Sequence, residues 1–319
     1  MSFVLPYIAL VVGFIILVKG ADVFVDGSCS IAKKLRIPDI IVGLTIVAMG
    51  TSMPELAVSV SAAVDGSSDI AVGNVVGSNL LNVLIVLGLS AVIKPVMVDK
   101  SVFKRDFPML LLTAVLLPLL TLTGNYYIGR IAGALLIGFF IFYILLAIKD
   151  ALRFRKSTED KAEENENTYA VMPWWKSILF TVGGAVVIVL GGKISVYGAT
   201  EIAHQLKISE AIIGLTIVAL GTSLPELVTS AVAAKKGNSD MALGNVIGSN
   251  IFNVLLILGT TSLVLPFKVT FDGLIDQIIL LGISVVLWIS SLCGKKITRL
   301  NGIVFLLLYV AYATYLFMR

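Results

Sequence analysis

The chain has 319 residues, of which 58% are apolar and only 14% charged. Soluble domains carry about 25% charged residues, so the composition excludes an ordinary water-soluble domain and makes lipid the main solvent. The net charge of +4 carries no information until it is placed along the chain, and two distant cysteines, Cys29 and Cys293, fit no metal spacing and read as two small buried residues in preference to a disulfide.

Runs of roughly 20 apolar residues suffice to cross the hydrocarbon core. The sequence predicts an all-α membrane protein with ten spans, near residues 3–31, 39–64, 70–93, 107–123, 128–150, 175–204, 210–234, 241–265, 272–293 and 298–317. The first residues lack a basic n-region, so they read as part of a spanning helix. Between the fifth and sixth spans, "RFRKSTEDKAEENENTYAVMP" reads as a short, solvated linker. The expected organisation is therefore 1–150, a linker over 151–173, and 174–319.

Basic residues place these segments in the membrane. Connections after odd-numbered spans hold Lys33, Lys34, Arg36, Lys94, Lys104, Arg105, Lys235, Lys236, Lys295 and Lys296 among others. The opposite face holds only Arg130, Lys207, Lys268 and Arg319. The positive-inside rule puts both termini outside and the 151–173 linker in the cytoplasm.

Residues 41–88 align without a gap to 212–259, an offset of 171. Gly13/Gly184, Gly20/Gly191 and Gly27/Gly198 extend the match back through the first and sixth spans. Five spans are thus repeated, and because five is odd the second copy enters from the opposite side. Inverted repeats of this kind are the mark of many secondary transporters.

The most costly residues lie inside the repeat. "GTSMPE" ends at Glu55 and "GTSLPE" at Glu226, each inside an apolar span. A charge at the bilayer centre costs at least about 2.5–3.5 kcal/mol and usually faces a pathway or a partner. Lys19 and Lys193 are the candidate intramembrane cations, and Asp22 occupies the position equivalent to Lys193, so those two are expected to serve each other. Pro54 and Pro225 lack the N–H that would bond the carbonyl one turn back. Carbonyls over Ala48–Thr51 and Ala219–Thr222 are then partly released, which hydrocarbon tolerates only beside protein or a wet cavity.

Helical spacing brings Thr51 and Ser52 to the face of Glu55, and Thr222 and Ser223 to that of Glu226. The next span of each copy reads "GNVVGSNLLN" or "GNVIGSNIFN", placing Ser78 with Asn82 and Ser249 with Asn253. Taken singly these hydroxyls and amides read as structural; together they form an oxygen-only set around two carboxylates. Such a set suits a hard cation, Ca²⁺ above Mg²⁺, and disfavours zinc or copper. His204 reads as a surface residue near a helix end, and Asp69 and Asp240 read as helix caps or as a cation vestibule. Two ionised glutamates balance one Ca²⁺ or two or more Na⁺, and an empty doubly charged site is costly, which favours exchange over leak.

These paired motifs resemble those of the calcium/cation antiporter superfamily, in its sodium/calcium exchanger branch of prokaryotic type, over essentially the whole chain. The resemblance implies that Glu55 and Glu226 are the principal shared Ca²⁺ and Na⁺ ligands. Thr51, Ser52, Ser78, Thr222, Ser223, Ser249 and the Ala48 and Ala219 carbonyls would add oxygens. It further implies that the first and sixth helices slide across the rest. Potassium-dependent members carry aspartate where this chain has Asn253, which makes potassium cotransport less expected and leaves Na⁺ stoichiometry open. The expectation is thus a non-enzymatic antiporter in a prokaryotic inner membrane, exchanging transported Ca²⁺ for Na⁺, with no permanently bound cofactor. The lipid bilayer is its expected surrounding, with no nucleic acid and no obligate protein partner. A Ca²⁺/H⁺ or other divalent cation/proton antiporter is the alternative; a channel or an intramembrane protease would fit less well.

Overall fold

The computed structural model describes residues 4–64, 68–159, 171–206 and 219–318. Helix α1 (Leu5–Leu35) ends where Arg36 turns left-handed, with φ of 54°, and caps the Ala32 and Lys33 carbonyls. Pro38 then forces an extended step before α2 (Asp39–Thr51), which meets α3 (Met53–Val64) at a bend of 43°. Helix α4 starts at Ser68 and runs to Ile93, α5 covers Val102–Thr123 and α6 Arg130–Glu159. Next come α7 (Trp174–Gln205), α8 (Ala219–Thr222), α9 (Leu224–Lys235) and α10 (Ser239–Val264). Helices α11 (Phe271–Leu292) and α12 (Arg299–Met318) complete the described chain.

Among the described residues, eight helices are long and apolar enough to cross a membrane, and nine if α2 and α3 form one bent span. The start of the predicted 210–234 span lies outside the described residues. Helix α6 runs on to Glu159, so residues 151–159 of the predicted linker are helical; charged residues such as Arg153 and Arg155 continue a helix well once it has left the lipid.

Element boundaries recur at the sequence offset of 171. Helices 53–64 and 224–235 correspond, as do 68–81 and 239–252. Widened π turns at Asn82–Leu87 and Asn253–Leu258 interrupt α4 and α10 at equivalent points, and such turns gather at functional sites. Two short antiparallel pairs join distant ends: Val96–Met97 with Lys296–Ile297, and Tyr127–Ile128 with Phe267–Lys268.

Helix α10 is central: 94% of its best apolar stretch is buried, against 11% for α12 at the rim. It packs with α4 around Leu80, Leu84, Leu87, Ile251, Leu255 and Leu258. In lipid no hydrophobic effect drives such packing, so close contact and hydrogen bonds must. The α1–α7 contact shows how. A Cβ on Gly191 would lie 2.6 Å from Leu17 N, and one on Gly184 2.7 Å from Phe24 N. A Cβ on Gly13 would meet Ser195 N at 2.5 Å, and one on Gly198 would meet Leu10 N at the same distance. The heptad-spaced glycines therefore form a seam in which two helix backbones touch.

Two expectations need correction. Asp22 does not serve Lys193: it pairs with Lys236 at 3.3 Å, alongside Asp26 at 2.7 Å. Lys236 ends α9 close to α1, whereas Lys193 is exposed. Asp240 does not cap α10; Asn238 does, accepting from Met241 N–H at 3.1 Å. The helix begins two residues earlier than the sequence suggested, which places Asp240 inside its first turn. The side chain of Asp69 lies outside the described residues. Cys29 is buried and free, and His204 is exposed.

Candidate cation site

The proline-containing hexapeptides form helix breaks. Ser52 (φ −85°, ψ 6°) separates α2 from α3, and Ser223 (φ −90°, ψ 2°) separates α8 from α9. Pro54 and Pro225 consequently sit in the first turn of a new helix, where a missing N–H is harmless. Glu55 and Glu226 occupy that same first turn, so each carboxylate is favoured by the positive end of its half-helix. The Ala48 carbonyl is less free than the proline suggested: Ser52 N–H bonds it at 3.0 Å, and the Thr51 hydroxyl also lies within 3.4 Å of it. Ala219 opens α8.

Both glutamates are fully buried, and each is served from the opposite half. Ser52 Oγ donates to Glu226 Oε1 at 2.8 Å, and Ser223 Oγ donates to Glu55 Oε1 at 3.2 Å. Ser78 Oγ lies 3.1 Å from Ser223 Oγ. Thr51 Oγ1 is 3.1 Å from Asn245 Oδ1, while Thr222 Oγ1 is 3.4 Å from Asn74 Oδ1. Every one of these contacts has a counterpart related by the repeat, except the Ser78 contact: Ser249 Oγ is buried without a partner.

Sequence reasoning missed the asparagines that build this frame. Asn74 Nδ2 donates to Ser59 Oγ at 3.0 Å and to the Glu55 carbonyl at 3.3 Å. Asn245 does the same for Ser230 at 2.8 Å and the Glu226 carbonyl at 3.5 Å. Asn79 and Asn250 exchange side-chain-to-backbone bonds across the α4–α10 contact, both 3.1 Å. The signal was present: all four stand inside the repeated "GN..GSN" strings. Their partners are not sequence neighbours, which hid their role.

Of the predicted residues, Thr51, Ser52, Ser78, Thr222 and Ser223 are thus tied by hydrogen bonds to the two glutamates or to the asparagines beside them, and several oxygens of the predicted set are left over. Glu55 Oε2, Glu226 Oε2, Asn82 Oδ1, Asn253 Oδ1 and Ser249 Oγ are buried with no hydrogen-bond partner among the described residues. Buried polar atoms are normally satisfied, and unpaired carboxylate oxygens are the most costly to leave so. Five oxygens of this kind on and around two carboxylates form an acceptor-rich set suited to a hard cation. A separate basin of about 1790 Å³, lined by Lys33, Arg36, Asp39, Lys94, Asp99 and Asp240 among others, does not include these residues.

Comparison with known proteins agrees with this chemistry. Residues 5–149 and 176–318 match the family described as sodium/calcium exchanger protein. The chain belongs to this family. Members similar to it include the putative antiporter CaxA of Alkalimonas amylolytica, 38% identical over 97% of this chain and 98% of that protein. The sodium/calcium exchanger MaX1 of Methanosarcina acetivorans is 34% identical over 98% of each chain. The solved structure of the sodium-calcium exchanger NCX_Mj superposes with a TM-score of 0.83, at 33% identity and 98% coverage of both chains. This family member is accordingly an all-α integral membrane protein of the cation-exchanging antiporters.

Proposed function

We propose that the protein is a secondary antiporter that exchanges Ca²⁺ for Na⁺ by alternating access. The observation that carries this reading is the set of unpartnered buried oxygens around Glu55 and Glu226, held by contacts that reciprocate between the two halves. In this reading Glu55 and Glu226 bind either cation. Thr51, Thr222, Ser52, Ser223, Ser78, Ser249, Asn82, Asn253 and the carbonyls of Ala48 and Ala219 complete the coordination. Two carboxylates balance one Ca²⁺ or two or more Na⁺, so occupancy is mutually exclusive.

Alternating access follows from the same symmetry. The chain is read as two inverted five-helix halves, 1–150 and 174–319, joined by a cytoplasmic 151–173 linker, with both termini outside a prokaryotic inner membrane. The glycine seam holds the α1 and α7 backbones in direct contact, so in this reading α1 and α7 move together past the site. NCX_Mj, whose crystals were soaked with Na⁺ and with Ca²⁺ or Sr²⁺, supports cation exchange in this fold. Each net charge moved would be worth about 2.3 kcal/mol per 100 mV, so a third Na⁺ per Ca²⁺ makes the cycle voltage-sensitive.

The test is Ca²⁺ uptake by proteoliposomes loaded with Na⁺ and diluted into Na⁺-free buffer, beside a proton gradient at matched voltage. Saturable uptake that requires internal Na⁺ is expected. Uptake driven only by protons would make it a Ca²⁺/H⁺ antiporter, and linear, gradient-independent flux would make it a channel.

A further inference from the structure

An amide binds a cation through its oxygen; its nitrogen end carries two hydrogens and repels one. Asn82 and Asn253 therefore serve the site only if their oxygens face it. Their orientation is fixed by two chains of hydrogen bonds that each end on main chain. Asn250 Nδ2 donates to the backbone carbonyl of Asn79 at 3.1 Å, an atom that can only accept. Asn250 Oδ1 is thereby turned toward Asn82 and accepts from Asn82 Nδ2 at 3.1 Å. Asn82 Oδ1 is left pointing away, buried and unpartnered. The other half repeats the logic. Asn79 Nδ2 donates to the Asn250 carbonyl at 3.1 Å, and Asn79 Oδ1 accepts from Asn253 Nδ2 at 3.0 Å. Asn253 Oδ1 is in turn unpartnered.

All four side chains are buried to within 1%, so water cannot replace a lost bond. Rotating the Asn82 amide by half a turn would set its oxygen against Asn250 Oδ1. Rotating Asn250 to correct that would set its oxygen against the Asn79 carbonyl. The sequence of bonds has one consistent arrangement, because a backbone carbonyl cannot be inverted. We propose that Asn79 and Asn250 are positioning residues for cation affinity, holding the side-chain oxygens of Asn253 and Asn82, respectively, as the atoms offered to the ion.

The inference rests on the Ca²⁺/Na⁺ exchange reading, and it assigns each lock to one ligand. Asn250→Ala removes the acceptor for Asn82 but leaves the Asn250 carbonyl, hence the Asn79 lock on Asn253, intact. Asn79→Ala does the reverse. The test measures the half-saturating Ca²⁺ for Na⁺-driven uptake in proteoliposomes, and Ca²⁺ binding to the detergent-solubilised full chain by calorimetry. Asn250→Ala is expected to weaken Ca²⁺ affinity about ten- to a hundredfold, as loss of a ligand-orienting partner typically does. That effect should vanish in an Asn82→Ala background and persist in Asn253→Ala, and Asn79→Ala should show the opposite pattern.

Four asparagines that merely tie α4 to α10 would lower thermal stability without this selectivity. Unchanged affinity in Asn250→Ala, or equal losses in both backgrounds, overturns the proposal. So does failure of both alanine variants to yield folded protein, which would make the asparagines structural ties. Absence of Na⁺-driven uptake and of Ca²⁺ binding in the unsubstituted protein would instead overturn the exchange reading itself.

Discussion

Gly191→Ala tests the seam between α1 and α7 with one methyl group. The added Cβ would lie 2.6 Å from Leu17 N, 2.8 Å from Leu17 Cα and 2.9 Å from the Gly13 carbonyl. Carbon contacts settle near about 3.5–4.0 Å, and these neighbours are backbone atoms that cannot rotate aside. The helices must therefore part by about 1 Å locally, and overpacking of this kind costs about 1–3 kcal/mol. Its neighbour supplies the control: a Cβ on Gly192 would find Leu17 Cδ1 at 3.8 Å and Pro225 Cγ at 3.9 Å, ordinary contacts. Gly183 offers a second control, with nothing within 4 Å. Gly191→Ala should melt at lower temperature in detergent and slow Na⁺-driven Ca²⁺ uptake, because α1 and α7 no longer move as one. Gly192→Ala and Gly183→Ala should resemble the unsubstituted protein in both assays. Equal behaviour of all three variants would refute the seam as a backbone contact. A slow but fully stable Gly191→Ala would assign the seam to motion alone.

Glu226→Gln and Glu55→Gln each remove one of two buried charges; both should abolish Na⁺-coupled Ca²⁺ uptake yet leave the melting profile of a folded protein, since a neutral amide is easier to bury than an unpaired carboxylate. Ser52→Ala and Ser223→Ala each delete one donor to the opposite glutamate, so Ca²⁺ titrations should show losses of similar size; an effect confined to one would contradict the reciprocal frame. Asp106 is fully buried, takes both Arg105 Nε and Nη2 at 2.7 and 3.1 Å, and accepts from Tyr143. Asp106→Ala should therefore cost about 3–5 kcal/mol in reversible unfolding, while Asp150→Ala, whose side chain is 39% exposed, should cost under about 1 kcal/mol. Lys236→Met frees Asp22 and Asp26; with all three groups part-exposed, the stability loss should again stay under about 1 kcal/mol and shrink further in high salt.

Local physics makes much of this protein legible along its chain. Apolar run length announces the spans, because the thickness of hydrocarbon sets how many residues a helix needs. A glutamate such as Glu55 stands out because charge in lipid is costly, and its recurrence at Glu226 pairs the two halves. Helical spacing assigns Ser52 to Glu55 and Ser223 to Glu226, but the helices break at both serines and each hydroxyl serves the glutamate of the other copy instead. What local physics misses depends on contacts between residues far apart in sequence. Repeat position matches Asp22 to Lys193, yet charge pairs by distance, and the packing of α9 on α1 delivers Lys236 instead. The proline at 54 suggests a kinked helix, whereas the fold starts a new helix at Met53 and so turns Glu55 toward a helix N-terminus. Asn79 and Asn250 look like packing residues on their own strings; their partners lie across the α4–α10 contact. Periodicity and cost per residue are written along the chain, but which acceptor meets which donor is decided only when two helices cross.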